Sequence, residues 1–90
     1  MSAYKLTIHG KVQGVWFRQF TVDASISLGI TGWVKNDREG TVSAFIQGDE
    51  HSINQLISLL KKGPDFAEVT DIKKVPVAED FAITDFSILH

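Results

Sequence analysis

One segment leaves little choice about what must surround it. Asp49 is a good helix N-cap, Ile53, Leu56, Ile57 and Leu60 recur at i, i+3, i+4 and i+7, Lys61 and Lys62 suit the negative end of a helix dipole, and Gly63-Pro64 stops the run. The spacing predicts a helix with a single apolar stripe, and such a stripe has to be covered by another layer. Strands are available to cover it. Tyr4, Leu6 and Ile8 alternate with Lys5, Thr7 and His9, the period-2 pattern of a strand with one buried face. Gly32 to Asn36 and Thr41 to Gln47 are β-prone runs joined by Asp37-Arg38-Glu39-Gly40, a polar turn closing on glycine, and should form an antiparallel hairpin. Val69 to Val77, with Pro76 near its end, reads as a less regular strand, and Phe86 and Ile88 alternate in a short terminal one.

Phe17 to Leu28 fits two patterns. Val22, Ala24, Ile26 and Leu28 alternate as in a strand, whereas Phe17, Phe20, Ala24 and Leu28 share one helical face and Gly29 is placed to end a helix in a left-handed cap. A helix is expected, with Val22 and Ile26 near its solvent side. The order is then β-α-β-β-α-β plus a tail strand. That is the split βαβ, or ferredoxin-like, α+β arrangement, with two helices on one face of an antiparallel sheet.

At 90 residues there is room for one core, so a single domain over residues 1–90 is expected. With no cysteine, a disulfide framework, a thiolate zinc site and a cysteine nucleophile are excluded. Met1 to Leu6 lacks a basic region followed by an apolar one, and no segment approaches the roughly 20 apolar residues of a membrane span. A cytoplasmic location without a membrane partner follows as the expectation. A net charge of -2 argues against domain-wide attraction to nucleic acid or anionic lipid, so any anion site must be local. His9, His51 and His90 have no metal-ligand spacing and are expected on a strand surface, in a helix's first turn and at a flexible end, outside any site. No metal and no cofactor are expected.

The candidate site is the first crossover, Gly10 to Arg18, where a glycine-containing loop leads from a strand into the start of a helix. Unpaired backbone N–H groups and the positive end of the helix dipole make such a loop an anion cradle, and Arg18 adds a planar fork matching two phosphate oxygens. An arginine at the positive end of a dipole is unfavourable unless an anion offsets it. On these residues alone, a structural turn with a solvated arginine fits as well, and Asn36 fits as the residue that begins the hairpin turn. Phe17 is expected in the core.

Two motifs in sequence narrow the choice. Gly10-Lys11-Val12-Gln13-Gly14-Val15-Trp16-Phe17-Arg18 is similar to the first signature of the acylphosphatase family. Gly32-Trp33-Val34-Lys35-Asn36, then Gly40-Thr41-Val42 and Gly48, reproduce that family's hairpin pattern, and Gly63-Pro64 with Val69 fits its later part. The resemblance spans nearly the whole chain. It implies hydrolysis of the carboxyl-phosphate anhydride of acyl phosphates to carboxylate and inorganic phosphate, by direct attack of water and without a metal. It further implies a phosphate bound by the amides of Gln13, Gly14, Val15, Trp16, Phe17 and Arg18 and by the Arg18 guanidinium, with the Asn36 side chain orienting the water. The family signature leaves position 16 open, so no role for Trp16 follows.

The chemistry suits that equipment. The leaving carboxylate has a conjugate acid of pKa about 4, so no general acid is required. A loose phosphoryl-transfer transition state is served mostly by positioning and charge, which makes a strong base dispensable. The partners expected are a small acyl phosphate and inorganic phosphate, and the chain is expected to be a monomer. Nucleic acid is not expected, because no RNP-type aromatic run marks a basic sheet face. The alternative is a module that holds a carbamoyl or acyl phosphate without hydrolysing it, like the acylphosphatase-like domains of larger maturation enzymes; a free-standing chain with both Arg18 and Asn36 counts against it.

Overall fold

The expected elements occur in the expected order. In the computed structural model, which describes residues 1–90, they are β1 (Ser2–Lys11), α1 (Phe17–Ser27), β2 (Thr31–Asn36), β3 (Val42–Gly48), α2 (Glu50–Lys62), β4 (Glu68–Pro76) and β5 (Phe86–Ile88). They build one sheet in the order β4-β1-β3-β2-β5. β1 pairs antiparallel with β3 and β4, so that Leu6 lies opposite both Ala44 and Lys74, and β2 pairs antiparallel with β3.

β5 departs from the expected antiparallel sheet. It runs parallel to β2, with Val34 opposite Ile88, and the sheet is mixed. The cause lies in how the chain returns. β4 and β5 occupy opposite edges, and residues 77–85 cross between them at the end where β2 begins. There Gln47 Nε2 donates to the Asp80 carbonyl at 2.8 Å, the Asp80 amide donates to Gln47 Oε1 at 2.9 Å, and the Gly32 amide donates to the Asp85 carbonyl at 2.8 Å. A strand entering from that end runs beside β2 in β2's own direction.

The core forms between the sheet and its helices. Leu6, Ile8, Val34, Val42, Ala44 and Ile46 from the strands join Ile53, Leu56 and Leu60 of α2 and Phe17 and Val22 of α1. α2 therefore buries the stripe its spacing predicts. α1 does not. Its buried residues are Phe17, Thr21, Val22 and Ser25, with Phe20, Ala24 and Leu28 packed at the margin. Val22, expected near solvent, is in the core, and only Ile26 remains exposed, at 61%. A stripe centred on small polar residues is admissible because Thr21 Oγ1 donates back to the Phe17 carbonyl at 2.8 Å, entering the core with its hydrogen bond already made. No helix is long and apolar enough to cross a membrane.

Candidate active site

The loop between β1 and α1 is shaped by what it buries. Val12, Val15 and Phe17 belong to the core cluster and act as three pegs, leaving Gly14 and Trp16 at the surface between them. Gly14 (φ 72°) and Trp16 (φ 65°) are both left-handed, and Trp16 is the one non-glycine residue with positive φ. Left-handed residues at such spacing turn neighbouring amides toward a common concavity, a nest for an anion. At a tryptophan this conformation costs about 1–2 kcal/mol. Trp16 is 81% exposed, so little packing offsets that cost.

Trp16 is also the N-cap of α1, which has no side-chain cap and no acidic residue in its first turn. The first helical hydrogen bond runs from the Phe20 amide to the Trp16 carbonyl at 3.0 Å, so the amides of residues 17–19 have no intrahelical partner. Arg18 stands half-buried in this first turn. Asn36, the last residue of β2, is half-buried too, and its Oδ1 is buried without a hydrogen-bond partner. The Asn36 amide thus has hydrogen-bonding capacity that no protein group takes up.

Arg18 and Asn36 line one cleft of about 380 Å³, together with Gly14, Trp16 and Phe17 of the loop. Gln13 and Val15 are not among its walls; Val15 is buried beneath the loop and Gln13 reaches sideways. No Asp or Glu lines the cleft, so no acidic side chain opposes the positive potential of the guanidinium and the helix start. Such a site suits a multi-oxygen anion. No group of three His, Asp or Glu residues is placed to hold a metal ion.

Three wall residues were missed by the sequence, the first being Gln19, next to Arg18 on α1. Ile88 and His90 enter the cleft at the end of β5, overturning the expectation that no histidine reaches the site. Alternation marks a terminal strand, but nothing in that pattern says which sheet edge it joins. His51 is exposed on α2 as expected, whereas His9 is half-buried on β1 with its Nε2 unpartnered.

The hairpin beyond Asn36 is tightly bonded. The Asp37 amide donates to the Thr41 carbonyl at 2.9 Å, and Asp37 Oδ2 accepts from Thr41 Oγ1 at 2.7 Å and from Ser43 Oγ at 2.6 Å. Asp37 is therefore a turn residue, as its place in the hairpin suggests. The loop is tied to this turn: Gln13 Nε2 donates to the Asp37 carbonyl at 2.8 Å and to the Thr41 carbonyl at 2.9 Å.

A split βαβ sheet that brings an uncapped helix start, a guanidinium and a carboxamide into one cleft suits a protein that handles phosphoryl groups. Comparison with known proteins makes this specific. The acylphosphatase family matches residues 4–88. An acylphosphatase of Rhodospirillum rubrum is 41% identical over 78 residues, covering 87% of this chain and 86% of that protein. The crystal structure of acylphosphatase from Bacillus subtilis has a TM-score of 0.95 and 32% identity, covering 100% of both chains. HypF of T. kodakarensis matches with a TM-score of 0.87 and 28% identity, over 100% of this chain but 12% of that one. The chain belongs to the acylphosphatase family, and its reaction is the hydrolysis of acyl phosphates.

Proposed function

We propose that this reaction is carried by Arg18 and Asn36, with the phosphate resting on the amides of the loop from Gln13 to Arg18. The observation that supports this most is the meeting of Arg18, the uncapped start of α1 and Asn36 in one cleft lined by no Asp or Glu side chain. Charge on the phosphoryl oxygens is met by the guanidinium fork and by amide dipoles already in place. The Asn36 carboxamide orients water toward phosphorus. The water oxygen forms the new P–O bond, the bond from phosphorus to the acyl oxygen breaks, and the carboxylate leaves with that electron pair. The water's protons pass to solvent and to the phosphate product. No residue needs to become covalently attached.

The substrate is a small acyl phosphate, and the chain works as a cytoplasmic monomer, without nucleic acid and with full activity in chelator. The test follows the loss of benzoyl phosphate by ultraviolet absorbance, in chelator, for the wild type, Arg18→Ala and Asn36→Ala after each is shown to be folded. Arg18→Ala should chiefly weaken phosphate binding, and Asn36→Ala should chiefly lower kcat. Folded variants that both retain wild-type kcat/KM would remove the assignment. A folded wild type that binds phosphate and never turns over would point to the holding role of a binding module.

A further inference from the structure

The two halves of this site start on strands that do not touch. The phosphate loop leaves β1 and Asn36 ends β2, while β3 lies between them in the sheet. Two inter-strand spacings amount to about 10 Å. The Gln13 side chain ties the loop after β1 to the turn that joins β2 and β3. Both hydrogens of its Nε2 go to the β2–β3 turn, at the Asp37 and Thr41 carbonyls, 2.8 and 2.9 Å away. The acceptors are held in turn, because Asp37 and Thr41 are joined through the backbone at 2.9 Å and Asp37 Oδ2 is clasped by the Thr41 and Ser43 hydroxyls.

We propose that the Gln13 side chain is a positioning residue for hydrolysis: it fixes the Asn36 end of β2 against the phosphate loop and does not itself touch phosphate. The proposal rests on the assignment of water orientation to Asn36. In-line displacement requires the attacking oxygen, phosphorus and the leaving oxygen to be aligned. The loop sets phosphorus, and Asn36 sets the water. Any slack between loop and turn therefore falls on the one distance the reaction is sensitive to, and a displacement of about 1 Å can lower a rate about 100-fold. Phosphate binding, which depends on the loop and Arg18, is left alone.

The experiment uses Gln13→Met, which keeps an unbranched stem of similar length and removes both donors, and Ser43→Ala, which loosens the far side of the same turn with a minimal change of volume. With benzoyl phosphate, Gln13→Met should lower kcat about 10- to 100-fold, while KM and the affinity for inorganic phosphate stay within about threefold of wild type. Ser43→Ala should show the same kcat-only pattern at smaller size, and it decides the matter if Gln13→Met does not fold. The double variant Gln13→Met/Asn36→Ala carries the distinguishing readout. A side chain acting through Asn36 has nothing left to lose once that carboxamide is gone, so the double variant should match Asn36→Ala alone.

Three results would overturn the proposal: wild-type kcat in a folded Gln13→Met protein, a parallel fall in phosphate affinity and kcat, or losses that simply multiply in the double variant. If Asn36→Ala itself keeps full kcat, the assignment of Asn36 fails, and the proposal falls with it by a different observation.

Discussion

α1 and α2 pack on the same sheet and are finished in opposite ways. α2 begins with Asp49, whose carboxylate accepts from the Ser52 amide at 3.3 Å, carries Glu50 in its first turn and ends with Lys61 and Lys62. Every one of these charges complements the helix dipole. α1 begins at a left-handed tryptophan with no side-chain cap, has no acidic residue in its first turn but an arginine at Arg18, and has no basic residue in its last turn. Stability alone would finish both helices like α2. The difference separates a helix whose start is capped by its own Asp49 from one whose start has no side-chain cap, where we propose that the phosphate rests.

That contrast can be broken most sharply at Arg18. Arg18→Ala should lower kcat/KM about 10²- to 10³-fold, as expected when a charge-stabilising donor is removed. It should leave the melting temperature unchanged or slightly higher, because a cation is taken from the positive end of a dipole. A variant that unfolds at markedly lower temperature would show that Arg18 serves the fold. Asp49→Ala is the mirror case, with an expected loss of about 1 kcal/mol in denaturant unfolding and unaltered kcat and KM. A loss of activity in that folded variant would erase the division of labour between the helices.

Smaller effects sharpen the same comparison. Trp16→Gly relieves about 1–2 kcal/mol of left-handed strain, against about 0.5–1 kcal/mol of extra chain entropy for glycine. Urea titration should therefore show stability unchanged or raised by up to about 1 kcal/mol. A clear loss would mean that the indole packs usefully in spite of its exposure. The smallest effect lies at Glu50, whose carboxyl is held below its ordinary value of 4.5 by a hydrogen bond with Ser2 first, then by Tyr4 and by the charge of Lys74. A carboxyl depressed in the folded state adds stability above its unfolded value, and that contribution fades as the pH falls through the folded one. The melting curves of Glu50→Gln and wild type should differ slightly at pH 7 and converge in acid. Convergence at high pH instead would reverse the sign.

Much of this was legible in the sequence, for reasons that differ by residue. α2 was readable because its stripe, cap and stop signal agree, whereas the loop was readable only through the family motif, since glycines and an arginine at a helix start fit a structural turn as well. Arg18 and Asn36 were found through two motifs and lie in one cleft. The buried side of α1 was not readable, since it is centred on Thr21 and Ser25, and hydrophobic periodicity gives no weight to a hydroxyl that can bond its own helix. Ile88 and His90 were missed because the edge a short strand joins is decided by the crossing at residues 77–85, held through Gln47. Gln13 was noticed for its backbone amide; its side chain draws its importance from the order of the strands, which local pattern does not contain.

The same strand order governs how the molecule assembles itself. Of the four pairings only that of β2 with β3 joins consecutive strands, while β1 takes its partners from residues 42–48 and 68–76. Chains dominated by such distant contacts must close long loops before those contacts form, and they fold in milliseconds to seconds rather than microseconds. Loop and turn meet only once β1 has found β3, a step expected late in that search. Saturating inorganic phosphate should therefore slow unfolding and leave refolding at its original rate, acting as a latch on a door that the chain has already shut.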